Sequence, residues 1–366
     1  MESNKKVAIL TNMVTPYRVP FFSELAKKVK HLDILICVDR EVDRQWSVEN
    51  SKDYRVIRLA GITVNLNKDN DAKRILHFRF GVIWYLLRSR PDTLIIGDAS
   101  WTSFIAGLFC KLLFVKYVVW NEITTTSKVS SGLVAKLRKL LYRNATHCIA
   151  SCKMAKDYLE QVGVDINNIS IVNNAVDNDY FLKKKDKLSS FRESLRTELD
   201  IKEDAYVFIY VGQLISRKRV LETVESVAGL SKKRNVHLLV AGSGPLEQEM
   251  RIKAKNLGFS DITFCGYANT DRLSELYTAS DALILLSEDE PWGMVVNEAL
   301  LFGNELHCSS CVAAAVEIKS LFDFGNIYNI EEKIILNTEC QKSAKIANMK
   351  LLSPQSMASD FYELVK

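Results

Sequence analysis

Short apolar runs alternate with helical patterns along nearly the whole chain, and this alternation constrains the fold more than any other feature. Strand-like runs lie at 6–12, 32–38 and 93–97, and a second series begins at 207–211 and 237–241. Strands that alternate with helices are typical of parallel sheets covered by helices on both faces. Because 366 residues are too many for one ordinary core, we expect two such α/β domains in series.

The proposed boundary between the domains is a polar, lysine-rich stretch at 182–190, which is a candidate linker. We predict a first Rossmann-like domain at 1–181 and a second at 182–352. A terminal helix is expected at 353–366. A long helix is also predicted at 71–89, with Asp71 as its N-cap.

Charge is distributed unevenly between the two halves. The net charge is +5, but residues 1–180 carry 26 Lys and Arg against 18 Asp and Glu, a balance of +8. This asymmetry suggests that the first half faces an anionic partner. Nothing in the sequence is typical of a secretory signal or a membrane-spanning helix, so a cytoplasmic protein with reduced thiols is expected.

The eight cysteines are scattered rather than arranged as a metal site. Cys308 and Cys311 have redox or zinc spacing, but no second cysteine pair lies at finger spacing. We therefore expect structural thiols and no metal.

Two glutamates follow the apolar run 282–286, at the start of a predicted helix. Glu290 and Glu298 are eight residues apart, which is about 12 Å along a helix, with side chains within roughly 80° in azimuth. Their carboxylates could accept hydrogen bonds from sugar hydroxyls, and the free N–H groups of the helix start favour a phosphate. An acidic helix N-terminus stabilised by the macrodipole is the alternative.

Three consecutive cations, Arg217, Lys218 and Arg219, stand where a strand leads into a helix. The helix dipole disfavours cations at that end unless an anion is bound. A diphosphate would supply that anion, and a solvated basic turn is the alternative.

Taken in order, these segments resemble the retaining glycosyltransferases of the family 4 group, including those of bacterial cell-surface glycan and lipopolysaccharide synthesis. The resemblance implies the GT-B fold, in which two Rossmann-like domains face a central cleft and the C-terminal helix crosses back to the first domain. In that family Glu290 would contact the donor sugar, Glu298 the ribose, and Arg217 with Lys218 the diphosphate. It further implies donor-binding roles for the glycines of two turns and for residues around the two glutamates: Gly212, Gly242, Gly244, Tyr267, Trp292, Gly293, Met294 and Val295.

Three departures from the family pattern lie in the second half of the chain. Gln213 stands where an arginine is common, and Arg219 stands where a glycine is common. After Gly303 the usual proline and small-residue run is replaced by Asn304 and the residues that follow it.

In the first half, Pro16, Tyr17 and Arg18 resemble a subgroup's loop after the first strand. Arg18 would reach the diphosphate or the acceptor, or would simply pair with a surface carboxylate. Glu122 ends another strand and is a candidate to position or deprotonate the acceptor hydroxyl, with a capping role as the alternative.

Basic and aromatic residues interleave in two predicted helices of the first half, at 71–89 and 132–143. Such helices can lie on anionic membrane surfaces, although two ordinary core helices with wet outer faces would look the same. No base-reading motif is present, so nucleic acid is not an expected partner.

The sequence thus predicts a retaining hexosyltransferase-type enzyme of surface polysaccharide biosynthesis. It would move a sugar from a nucleoside diphosphate sugar, with UDP favoured, to a hydroxyl of a glycan or lipid-linked glycan. No metal or other cofactor is expected, and the enzyme would be peripheral on the inner face of the cell membrane. A nucleotide-sugar epimerase on the same fold and a non-catalytic sugar-nucleotide-binding relative are the alternatives.

Overall fold

The chain forms two compact units. The computed structural model describes residues 3–39, 51–66, 74–129, 131–336 and 352–366. The first unit comprises 1–176 with 352–366, and the second comprises 177–351.

The predicted linker is wrong, because 182–190 lies mostly inside the helix Asn178–Leu188 and the boundary falls at 176/177 rather than 181/182. The Asp177 side chain caps this helix by accepting from the Tyr180 N–H, and Phe181 is buried. The lysines lie on the remaining faces of the helix, so the polar composition that suggested a linker belongs to a surface helix.

The first unit contains a seven-stranded parallel sheet in the order β3-β2-β1-β6-β7-β8-β9, together with an antiparallel pair, β4-β5. Its strands are β1 Ser3–Thr11, β2 Val29–Ile36, β3 Arg55–Arg58, β4 Ile62–Leu66, β5 Arg74–Phe78, β6 Thr93–Ile96, β7 Lys116–Asn121, β8 His147–Ala150 and β9 Ile169–Ile171. Its helices are α1 Val19–Ala26, α2 Gly81–Ser89, α3 Trp101–Leu112, α4 Leu133–Arg143, α5 Lys153–Gln161 and the C-terminal helix Pro354–Val365.

The predicted helix at 71–89 is correct only from Gly81 onward. Arg74–Phe78 is a strand paired with β4, and the Asp71 cap falls outside the described residues. Arg79, predicted to lie on a basic helix face, is buried in the turn, where its Nε donates to the Cys37 carbonyl at 2.7 Å. Strand pairing and this buried hydrogen bond therefore override the helical pattern there.

The C-terminal helix completes the core of the first unit. Phe361 is fully buried, with its ring centroid 4.7 Å from that of Phe21 and 5.0 Å from that of Trp120. The expectation that the last helix returns to the first domain is confirmed. In the part of the chain that is described, no helix combines the length and apolar character needed to cross a bilayer.

The second unit is a six-stranded parallel sheet in the order β12-β11-β10-β13-β14-β15, flanked by helices. Its strands are β10 Tyr206–Val211, β11 Val236–Ala241, β12 Ile262–Gly266, β13 Ala282–Leu285, β14 Glu305–Ser309 and β15 Asn326–Tyr328. Its helices are α6 Asn178–Leu188, α7 Arg192–Glu198, α8 Val220–Ser231, α9 Glu247–Asn256, α10 Thr270–Ala279, α11 Met294–Phe302 and α12 Ala313–Phe322. Both units are Rossmann-like, as the alternating pattern predicted.

Candidate active site

The strand order of the second unit places its two most polar loops side by side. The direction of strand addition reverses between β10 and β13, which are neighbours in the sheet. Ligands bind at the carboxyl ends of strands at such a switch point. The two loops are joined there: the Glu288 N–H donates to the Arg217 carbonyl at 2.9 Å, and Arg217 Nη1 donates to the Asp289 carbonyl at 3.3 Å.

Lys218 and Glu290 form an ion pair across these loops, from Nζ to Oε2. Their side chains are only 10% and 17% exposed, so the pair is largely shielded from water. The backbone of Glu290 is fixed on the other side, since its N–H donates to Cys311 and its carbonyl accepts from Ala313. Two predicted site residues that are 72 positions apart are thus held together on rigid supports.

The two arginines beside Lys218 have different surroundings. The Arg217 side chain is exposed at the mouth of the loops. Arg219 has φ 51°, a left-handed conformation that glycine adopts most easily, which explains why a glycine suits this position in the family pattern. Its Nη1 donates to the Ile330 carbonyl at 2.9 Å, so its charge is directed away from Lys218.

The glycine turns after β10 and β11 pack backbone against backbone. A Cβ on Gly242 would lie 1.8 Å from the Gly212 carbonyl oxygen, and a Cβ on Gly244 would lie 2.5 Å from that of Leu214. The Leu214 N–H also donates to the Ser243 carbonyl at 3.0 Å. These contacts require glycine at 242 and 244 for packing, whatever the turns bind.

The prediction that Glu290 and Glu298 lie along one helix is wrong, because α11 begins only at Met294 and Glu290 is held before it in a bridge with Val312. Glu298 lies on α11 beside a buried tyrosine. The Tyr277 hydroxyl donates to Glu298 Oε2 at 2.8 Å. Burial raises the pKa of Glu298 from 4.5 to about 7, and the hydrogen bond from Tyr277 opposes that rise. A ligand that donated hydroxyl groups to this carboxylate would favour its charged form.

The residues around the start of α11 fall into buried and accessible groups. Trp292 is buried, and its Nε1 donates to Asn297 Oδ1 at 3.0 Å, which gives this side chain a structural role. Gly293 has φ 95° at the N-cap, and Met294 and Val295 are partly exposed in the first turn. Tyr267, at the end of β12, is half exposed.

In the first unit, the loop after β1 and the end of β7 meet at one cluster. Pro16–Arg18 forms a 3₁₀ turn, and the buried Arg18 donates from Nη2 to Glu122 Oε2 at 2.8 Å. Its guanidinium also lies over the Trp120 ring, 4.3 Å from the centroid. Asn174 Nδ2 donates to the other oxygen of Glu122 at 2.6 Å. Both carboxylate oxygens of Glu122 therefore accept hydrogen bonds from protein side chains.

Asp98 is a candidate residue that the sequence reasoning missed. It follows β6, the neighbour of β1 across the switch point of the first sheet. Its Oδ1 accepts from the Ser100 N–H at 3.3 Å and from the Ser103 hydroxyl. The signal that could have revealed it is the one used for Glu290, an acidic residue directly after a buried strand.

The cysteines that the structure describes are unbridged thiols, and Cys340 lies outside that part of the chain. Burial raises the pKa of the Cys308 and Cys311 thiols. Within the described ranges, no three His, Cys, Asp or Glu side chains are grouped as metal ligands would be.

Comparisons with known proteins bear on the second unit most directly. Residues 191–345 match the family model described as "Glycosyl transferases group 1". An uncharacterized glycosyltransferase of Methanocaldococcus jannaschii is 24% identical over 236 residues, 61% of this chain and 59% of the relative. The N-acetyl-alpha-D-glucosaminyl L-malate synthase of Bacillus anthracis is 30% identical over 137 residues, 37% of this chain and 34% of the relative.

The chain thus spans less than two thirds of these relatives' lengths. Among solved structures, Anabaena HepE in complex with UDP and glucose has a TM-score of 0.71 at 14% identity, with 99% of each chain covered. At that identity the likeness shows the fold, which is the GT-B pair of Rossmann-like domains. Together the comparisons support a glycosyltransferase group 1 domain in the second unit.

Proposed function

We propose that the protein is a retaining glycosyltransferase that uses a nucleoside diphosphate sugar, with UDP as the favoured nucleotide. Its acceptor is a hydroxyl of a glycan or lipid-linked glycan in surface polysaccharide biosynthesis. The observation that carries the proposal is the shielded Lys218–Glu290 pair at the β10/β13 switch point, with Glu298 in the second turn of the helix that follows, α11. A cation for a diphosphate and carboxylates for hydroxyls lie together there.

In this proposal the donor lies across the loops after β10 and β13. Lys218 and the exposed Arg217 stabilise the charge that develops on the leaving diphosphate. Because these cations do what a divalent ion would otherwise do, the proposed reaction needs no metal. Glu290 orients the donor sugar, and Glu298 accepts from the ribose hydroxyls. The start of α11, with Gly293, Met294 and Val295, contributes backbone N–H groups to the phosphates.

The turn residues Gly212, Gly242 and Gly244 admit the donor close to the backbone, and Tyr267 borders the base. Trp292 contributes indirectly, because its hydrogen bond to Asn297 fixes the start of α11. Retention of the anomeric configuration rests on the family resemblance, which implies transfer on one face of the sugar without a covalent nucleophile.

On the acceptor side, the proposal assigns the turn Pro16–Arg18 and Glu122 to positioning. Arg18 Nε and Trp120 Nε1 are buried without a hydrogen-bond partner among the described residues. Both belong to the cluster around Glu122, because Arg18 pairs with Glu122 and lies over the Trp120 ring. Unpaired buried donors of this kind are costly unless a ligand or water satisfies them.

We also propose that the first unit rests on the cytoplasmic face of an anionic membrane. The exposed face of α4 supports this, since Lys136, Lys139 and Arg143 alternate with the exposed Leu133 and Leu140. A basic amphipathic helix of this type binds where apolar burial and attraction to anionic lipid combine.

The proposed function is tested by a thermal-shift screen of the full chain against UDP-, GDP-, ADP- and dTDP-sugars, followed by product analysis. A sugar nucleotide that binds should raise the melting temperature by mass action. With a glycan acceptor present, we expect release of the nucleoside diphosphate and a new α-configured glycoside from an α-configured donor. Donor conversion that needs no acceptor would instead identify an epimerase, and binding without any turnover would identify a non-catalytic relative.

A further inference from the structure

The outer face of α3 and α4 carries an apolar groove that the proposed donor and acceptor residues do not use. The groove has a volume of about 450 Å³, within the range of ligand sites. Its lining is apolar except for the side chains of Lys111, Tyr117 and Asn144. We propose that this groove binds one hydrocarbon chain of an anionic membrane lipid.

The shape of the groove follows from the packing of the two helices. The helices pack closely at Gly107, where an added Cβ would lie 2.5 Å from Leu141 Cδ1. Tyr117 lies under this contact and donates its hydroxyl to the Leu141 carbonyl at 2.9 Å. Above it, Phe104 and Leu108 of α3 face Leu137 and Leu140 of α4 at helical spacing. Two apolar stripes side by side thus line the groove and can pack against a hydrocarbon chain.

The exposure of the surrounding side chains is unusual for a surface in contact with water alone. Leu108, Leu112, Phe114, Leu133 and Leu140 are each at least 60% exposed. Isolated exposed apolar residues need no explanation, but a cluster beside an apolar groove marks a binding surface.

The charge around the groove decides what the occupant is. The two helices α3 and α4 contain five Lys and Arg and no acidic residue. Lys111 lines the groove, and Lys136, Lys139 and Arg143 are exposed on α4. A cationic rim around an apolar groove complements an anionic amphiphile, whose chain enters the groove while its headgroup meets Lys111.

This inference goes beyond the proposed function and rests on it only for the biological role of the lipid, which would hold the first unit at the membrane. Binding itself needs no donor and no turnover, so the two proposals can fail separately. Loss of transferase activity with intact lipid binding would reject only the proposed function.

The test uses the full chain and two probes, the fluorescent fatty acid 11-(dansylamino)undecanoic acid and vesicles of phosphatidylglycerol mixed with phosphatidylcholine. Leu108→Ser should weaken binding of the fatty acid at least fivefold. The matched control is Leu112→Ser, since Leu112 lies one turn further on α3 with the same exposure but does not line the groove. Equal weakening by both changes would mean general adsorption to the surface and would overturn the proposal.

Two further measurements keep the result interpretable. Ile105→Trp fills the groove from a partly exposed position and should abolish binding of the fluorescent fatty acid, with an unchanged circular dichroism spectrum. Lys111→Glu should reduce binding to phosphatidylglycerol vesicles severalfold, whereas Lys232→Glu on the second unit should not. Light scattering that showed a dimer broken by Leu108→Ser would assign the groove to a second copy and contradict the lipid.

Discussion

The ion pair between Lys218 and Glu290 permits a quantitative prediction from a double-mutant cycle. Two unit charges about 4 Å apart interact with roughly 4 kcal/mol at an effective dielectric constant of 20. Both charges lose hydration, and the side chains remain 10% and 17% exposed, which offsets much of that attraction. We therefore expect a coupling energy of about 1–3 kcal/mol between Lys218→Met and Glu290→Gln.

Each single substitution should lower the free energy of unfolding by more than the loss of the attraction alone, because it leaves the other charge buried and unpaired. Removal of one partner of a fully buried pair costs about 3–5 kcal/mol, so about 2–3 kcal/mol is expected at this exposure. The double variant should recover much of that loss. Urea unfolding of the full chain, followed by circular dichroism, measures all four corners of the cycle. Strict additivity of the two changes, within about 0.5 kcal/mol, would refute a functional contact between these side chains.

The same variants separate stability from nucleotide binding. Lys218→Met should also weaken UDP binding by about 1.5–3 kcal/mol, the value of a hydrogen bond to a charged group, or roughly 10- to 150-fold in Kd. Glu290→Gln should keep most UDP affinity, because its proposed contact is to the sugar. Lys232→Met is the control, as an exposed lysine of the same unit. An equal loss in the control variant would point to net charge rather than to a site.

Three further predictions concern packing and pH. Gly242→Ala should destabilise the second unit by about 3 kcal/mol or more through its backbone clash. Gly229→Ala, with open space around it, should be neutral or stabilising by up to about 1 kcal/mol. Comparable urea midpoints for the two variants would contradict this. Phe361→Ala should cost the first unit about 3–5 kcal/mol and expose the C-terminal helix to limited proteolysis, and a protected helix would argue against its packing role. The folded-state pKa of Glu298 is raised from 4.5 to about 7, so its contribution to stability is present below pH 4.5 and is lost as pH rises to about 7. The melting temperature should therefore fall less across this window in Glu298→Gln than in the unchanged protein. Parallel curves of melting temperature against pH would contradict the raised pKa.

The fold was largely predictable because alternation of strands and helices leaves few arrangements. The contact between Lys218 and Glu290 was predictable for a related reason: loops that follow neighbouring buried strands collect at one edge of a parallel sheet. Lys218 and Glu290 are 72 residues apart, yet both follow strands that adjoin at the switch point. The same rule, applied to Asp98, would have found it.

The errors arose where tertiary contacts override local composition. The lysines of 182–190 looked like a linker, but an N-cap at Asp177 and the buried Phe181 make a helix of that segment. Arg79 looked like part of a basic helix face, but it donates to a carbonyl 42 residues away. Arg18 and Glu122 are 104 residues apart in the sequence, and no local pattern indicates that they pair.

The most direct test of the central claim is hydrogen–deuterium exchange of the full chain with and without saturating UDP. Nucleotide bound at the β10/β13 switch point should slow amide exchange in peptides covering 212–219 and 287–299, where the loops and the start of α11 supply the proposed contacts. UDP that raises the melting temperature but leaves exchange in both segments unchanged would contradict the assignment of this site.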